Sequence, residues 1–103
     1  MSDYQTVARV GEIPENEGRT FIVDDHPVAV FHHAGQYWAL DDACPHMGAS
    51  LGTGDVGRGM VICDRHLWPF RLEDGVCPDS PHLKATTHEV RVEGDEIQVR
   101  LNL

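Results

Sequence analysis

The chain has no long apolar run and little positive charge. No uninterrupted apolar segment approaches the roughly 20 residues needed to cross a bilayer. The opening MSDYQTVARVGEIPENEG has neither the basic nor the apolar region of a secretory leader. Both absences lead to the expectation of a soluble, cytoplasmic protein without a membrane partner. Lys and Arg number 8 against 17 Asp and Glu, a formal net charge of −9. Nucleic acid and anionic membranes would repel such a surface, whereas a partner with a basic docking face would suit it. Cysteine is sparse too. Cys44, Cys63 and Cys77 are too few, and odd in number, for a secreted disulfide framework, which leaves ligands, nucleophiles or buried fillers.

Helical patterning is also missing: no segment of ten or more residues repeats apolar positions at i, i+3, i+4. Short β-rich runs bounded by turn residues predict a small antiparallel all-β protein, with strands over 4–10, 19–23, 27–33, 36–40, 60–63, 70–72, 86–92 and 96–101. In the last two, Val90 and Val92, then Ile97, Val99 and Leu101, alternate with polar neighbours, the period of half-buried strands. Turns are expected at Asp24-Asp25-His26, Ala34-Gly35 and Glu93-Gly94-Asp95. The segment LGTGDVGRG, residues 51–59, reads as a loop. A single domain over residues 1–103 follows from the length. Such a chain buries only about 60–70 % of its unfolded surface, so a bound metal would contribute much to its stability.

What the chain does contain is two Cys-and-His pairs, Cys44-Pro45-His46 and Cys63-Asp64-Arg65-His66, separated by 16 residues. Each pair is short enough to grip one site from one loop. Thiolates select zinc, copper(I) or iron–sulfur clusters, and imidazole suits zinc and iron. Two readings follow from the residues. One is a closed tetrahedral zinc site in a non-redox binding module. The other is a Rieske cluster, in which two thiolates hold one iron and two imidazoles the other. Cys–His nucleophilic chemistry fits poorly, because it needs one residue of each kind.

The stretches CPHMGASL (residues 44–51) and CDRHLWPF (residues 63–70) resemble the two cluster-binding loops of Rieske [2Fe-2S] proteins. The resemblance extends to Ala29-Val30-Phe31 and Tyr37-Trp38-Ala39-Leu40 before the first loop, and to Glu73-Asp74-Gly75 as a hairpin after the second. It implies a Rieske-like all-β fold with both loops at one tip. It also implies a [2Fe-2S] cluster with Cys44 and Cys63 on one iron and His46 and His66 on the other. The second loop departs from the family pattern at Leu67, which stands where a glycine is usual. If that position needs a glycine-like conformation, Leu67 must bear strain.

High-potential Rieske proteins resemble one another in an extra cysteine pair and in Ser and Tyr hydroxyls after the second histidine. Here the corresponding positions carry Ala49, Arg65, Trp68 and Phe70, which implies a low-potential centre. The length leaves no room for an oxygenase catalytic domain. The resemblance therefore implies a Rieske-type ferredoxin that carries single electrons from an NAD(P)H-dependent flavoprotein reductase to a terminal oxygenase. The alternative is the small subunit of an assimilatory NAD(P)H nitrite reductase, with that enzyme's large subunit as partner. Met47, Leu67 and Trp68 are expected at the exposed tip, Trp68 more as packing than as docking surface. Cys77 is expected as a small buried filler. His26, His32, His33, His82 and His88 are read as histidines without matching partners, and Glu12, Glu15, Glu17, Asp41 and Asp42 as solvated faces.

Overall fold

The structure is a computed structural model and describes residues 4–44, 49–63 and 67–102. Among the described residues nine strands follow in order: β1 Gln5–Arg9, β2 Glu17–Val23, β3 His26–His33, β4 Gln36–Asp41, β5 Asp55–Gly57, β6 Met60–Ile62, β7 Pro69–Arg71, β8 Thr87–Glu93 and β9 Glu96–Arg100. All pairings are antiparallel. A six-stranded sheet has the order β1-β9-β8-β4-β3-β2, and a smaller sheet has the order β5-β6-β7. The expected all-β antiparallel class is what forms.

Two-residue turns set the register. Asp24 and Asp25 join Val23 to His26, and Ala34 and Gly35 join His33 to Gln36. All four have positive φ, as the mirror-image turns that match strand twist require. The glycine-rich 51–59 segment is more ordered than its composition suggests. It holds a 3-10 turn at Leu51–Thr53 and strand β5, which pairs with β6 through an Arg58-Gly59 turn. Three residues are too short to display an alternating pattern, and the pairing with β6 supplies the order instead.

Strand β3 explains how the fold carries two cores. Val28, Ala29, Val30 and Phe31 are all fully buried. Successive side chains point to opposite faces, so Val28 and Val30 pack with Ile13, Val23, Ala39, Ile97 and Val99 on one side. Ala29 and Phe31 face the other way, into a cluster with Leu40, Leu51, Val61, Phe70, Leu72 and all three cysteines. The second core lies between the main sheet and the small one, and it carries the site.

Candidate metal centre

Strand β4 delivers the first loop and strand β6 the second. An Ala43–Ser50 bridge closes the neck of the first, and the Cys44 N–H donates to the Ala49 carbonyl at 2.8 Å. In the second, Ile62 pairs with Pro69, and the Cys63 N–H donates to the Trp68 carbonyl at 2.8 Å. Each cysteine thus opens a loop and ties it shut five residues on. The segment containing Cys77 is built similarly: its N–H donates to the Leu83 carbonyl at 3.0 Å, inside a Val76–Lys84 bridge. Cys44, Cys63 and Cys77 are 2 %, 0 % and 0 % exposed, and all belong to one apolar cluster.

This arrangement fits a metal cluster. Two thiols from separate loops are buried together, where a thiolate is costly unless a cation compensates it. Soft sulfur donors at the neck of loops that also carry imidazole suit iron–sulfur chemistry. His46, His66, Met47 and Arg65 lie outside the described residues. Each of the two histidines belongs in sequence to a loop closed by its own cysteine.

Asp41 and Asp42 are not a solvated face. Asp42 is 8 % exposed, and its Oδ1 accepts hydrogen bonds from Thr20 Oγ1, Ser50 Oγ and the Gly52 N–H, each at 2.9 Å. The Asp42 N–H donates to Pro27, and its carbonyl accepts from Leu51. The Asp42 carboxylate therefore ties the first loop to β2 and the 3-10 turn, its backbone N–H ties it to β3, and the density of local donors draws the carboxylate inward. Asp41 lies between two imidazoles, with His26 Nε2 at 2.6 Å and His88 Nε2 at 2.7 Å from its Oδ1. Burial pushes its carboxyl up, but the hydrogen bonds from His26 and His88 outweigh burial and hold it below the ordinary value.

The other histidines described on strands also have partners. His33 Nε2 accepts the Gly59 N–H at 2.9 Å, linking the main sheet to the small one, while its Nδ1 lies 2.6 Å from Asn16 Oδ1. His32 Nδ1 donates to the Ile13 carbonyl and stacks on Tyr37. No local motif marks these pairs, because strand pairing creates them.

Leu67 has φ +57° and is 72 % exposed. The usual glycine position does take the left-handed conformation here, at a cost of about 1–2 kcal/mol for a leucine. Trp68 is half-buried against the cysteine core, as packing predicts. Leu67, Trp68, Pro69 and Asp79 line a hollow of about 190 Å³ beside the second loop.

Residues 3–99 match the family model for the Rieske [2Fe-2S] domain. The chain belongs to the Rieske [2Fe-2S] family. The cofactor of that family is the [2Fe-2S] cluster. Among relatives, the 3-phenylpropionate/cinnamic acid dioxygenase ferredoxin subunit of Shigella boydii serotype 4 (strain Sb227) is 33 % identical, over 89 % of this chain and 88 % of its own. Among solved Rieske structures, a protein described as a putative NADH-dependent nitrite reductase small subunit from Mycobacterium tuberculosis superposes with a TM-score of 0.89. It is 29 % identical and covers 97 % of this chain and 96 % of its own. A second similar structure is a complex of reduced oxygenase and oxidized ferredoxin in carbazole 1,9a-dioxygenase; the matching chain superposes with a TM-score of 0.85 at 26 % identity, covering 94 % of this chain and 92 % of its own. These similarities agree with an electron-transfer role.

Proposed function

We propose that this protein is a low-potential Rieske-type electron carrier, in which Cys44 and Cys63 hold one iron and His46 and His66 the other. The observation that carries this reading is the pair of buried cysteines, each opening a loop that its own amide closes, inside one apolar cluster. When bound, the cluster supplies reversible one-electron chemistry. The chain's own residues set its surroundings. Phe70 is fully buried and Ala49 packs against the same core. Neither they nor Trp68 offers a hydroxyl to a sulfur, which supports a potential toward the lower end of the Rieske range.

The donor is proposed to be an NAD(P)H-dependent flavoprotein reductase, the acceptor a terminal oxygenase, and the site of action the cytoplasm. The dioxygenase ferredoxin relative and the ferredoxin–oxygenase complex support that acceptor. Among the described residues no helix is long and apolar enough to cross a membrane. The exposed Leu67 beside the half-buried Trp68 offers a small apolar docking patch, in keeping with transient redox encounters. The nitrite reductase similarity supports a second reading, a small subunit bound to a large catalytic one. Steady-state reduction by NADH with a Rieske-ferredoxin reductase, followed by reoxidation by an oxygenase, tests the carrier reading. Turnover through both steps is expected. Reoxidation only by a nitrite reductase large subunit, within a stable complex, would favour the second reading.

A further inference from the structure

Three donor groups outside the two loops converge on one point. His26 begins β3, Asp41 ends β4 and His88 lies in β8. The pairings Val28↔Asp41 and Ala39↔His88 bring the three strands side by side. His26 Nε2, His88 Nε2 and a carboxylate oxygen of Asp41 all fall within 4.8 Å of one another. The His88 side chain is fully buried, while those of His26 and Asp41 are 30 % and 25 % exposed. One donor is anchored inside, and the other two face a route from solvent.

We propose that His26, Asp41 and His88 form a second metal site, distinct from the iron–sulfur cluster, for one divalent cation of the zinc class. Two imidazoles and a carboxylate form a donor set suited to Zn²⁺, Co²⁺, Ni²⁺ or Cu²⁺, whereas Mg²⁺ and Ca²⁺ prefer all-oxygen sites. Asp41 Oδ1, held between the two imidazoles, offers the carboxylate oxygen that would supply the negative charge a cation needs.

The hydrogen bonds now present define what binding must change. Tetrahedral zinc bonds of about 2.0–2.1 Å place donor atoms roughly 3.3 Å apart, so both N···O gaps must open by more than half an ångström. His26 adjoins the exposed Asp24-Asp25 turn, which gives it room to move. His88 Nδ1 now accepts the Asn102 N–H at 3.0 Å, which places the proton of the neutral ring on Nε2. Coordination through Nε2 moves that proton to Nδ1, the proton that His26 Nε2 shares with Asp41 moves likewise to the Nδ1 of His26, and the Asn102 amide turns to water. Asn102 is exposed and lies beyond the last strand, and its side chain keeps its own bond to the Thr87 carbonyl. Metal binding therefore has a signature at the far side of His88, away from the ion.

The experiment uses cluster-loaded protein, so that the loop ligands are already occupied. Zn²⁺ is titrated calorimetrically, and the Asn102 amide is followed by NMR. One equivalent of Zn²⁺ with a shift of the Asn102 resonance is expected. His26→Gln and Asp41→Asn, both at half-exposed positions and both able to keep hydrogen bonds, should each weaken binding by at least the roughly 10- to 100-fold that loss of an outer-shell partner costs elsewhere. Their cluster absorption reports that they remain folded. Absence of binding, or equal affinity in wild type and both variants, would overturn the proposal. If a variant loses its cluster, the wild-type Asn102 resonance decides: no shift on adding Zn²⁺ overturns the assignment.

Discussion

Leu67 combines a left-handed backbone with an exposed side chain in the second loop, so its conformational and proposed docking roles separate experimentally. Leu67→Gly removes the unfavourable φ but adds backbone entropy to the unfolded chain. The two effects oppose, and chemical denaturation should show a stability change within about 1 kcal/mol. Leu67→Asp leaves the cluster in place but puts a charge in the proposed docking patch. Its kcat/KM with the partner should fall several-fold while its visible spectrum stays unchanged. Asp41 makes a prediction in pH. Its carboxyl is held below the ordinary value, so its contribution is fully present above the unfolded value of about 3.9 and is lost as pH falls through the folded one. Denaturation at a series of pH values should show the wild type more stable than Asp41→Asn near neutrality, with the difference shrinking below about pH 4.

Among the elements, β5 and β6 fix the position of Cys63. Gly54 enters β5 against β6, and a Cβ there would lie 2.3 Å from the Ile62 carbonyl oxygen and 2.9 Å from Val61 Cγ2. Backbone is the obstacle, so β6 itself must shift, one residue before Cys63. Gly54→Ala should cost about 1–3 kcal/mol in denaturant unfolding and lower the iron content of purified protein. Its backbone φ of −77° is ordinary, so the penalty comes from close approach alone. Gly75 differs: it has φ +74° and would place a Cβ 1.9 Å from the Ala85 carbonyl. These elements also show what the sequence could reveal. The long hairpins and the two loops opened by Cys44 and Cys63 were legible because alternation, turn residues and short motif spacings are local properties. Strand β5 was hidden because three residues carry no period. The carboxylate shared by His26 and His88 was hidden because Asp41 stands 15 and 47 residues away from them, and only the order of strands in the sheet joins the three. Asp42 was misread for the same reason, since its donors Thr20 and Ser50 come from separate segments.

Taken whole, the molecule measures 37 × 26 × 18 Å and carries a formal net charge of −9. Exposed Glu12, Glu15 and Glu17 contribute to an acidic surface that would steer a basic partner over distances comparable to the Debye length, about 8 Å at physiological salt. Electron-transfer rates with such a reductase should therefore fall as ionic strength rises, chiefly through the association rate, in stopped-flow measurements. A salt-independent rate would remove charge from the recognition. The electron-transfer expectations depend on the cluster and on the four ligands proposed for it. Visible absorption of aerobically expressed protein, followed by low-temperature EPR after dithionite reduction, tests that claim most directly. A red-brown protein with the low average g value of a His-ligated [2Fe-2S] pair, lost or converted to a ferredoxin-like signal in His46→Cys and His66→Cys, is the predicted result. A colourless protein holding one zinc and no iron, with cluster reconstitution failing, or an unchanged Rieske spectrum in both variants, would contradict the account.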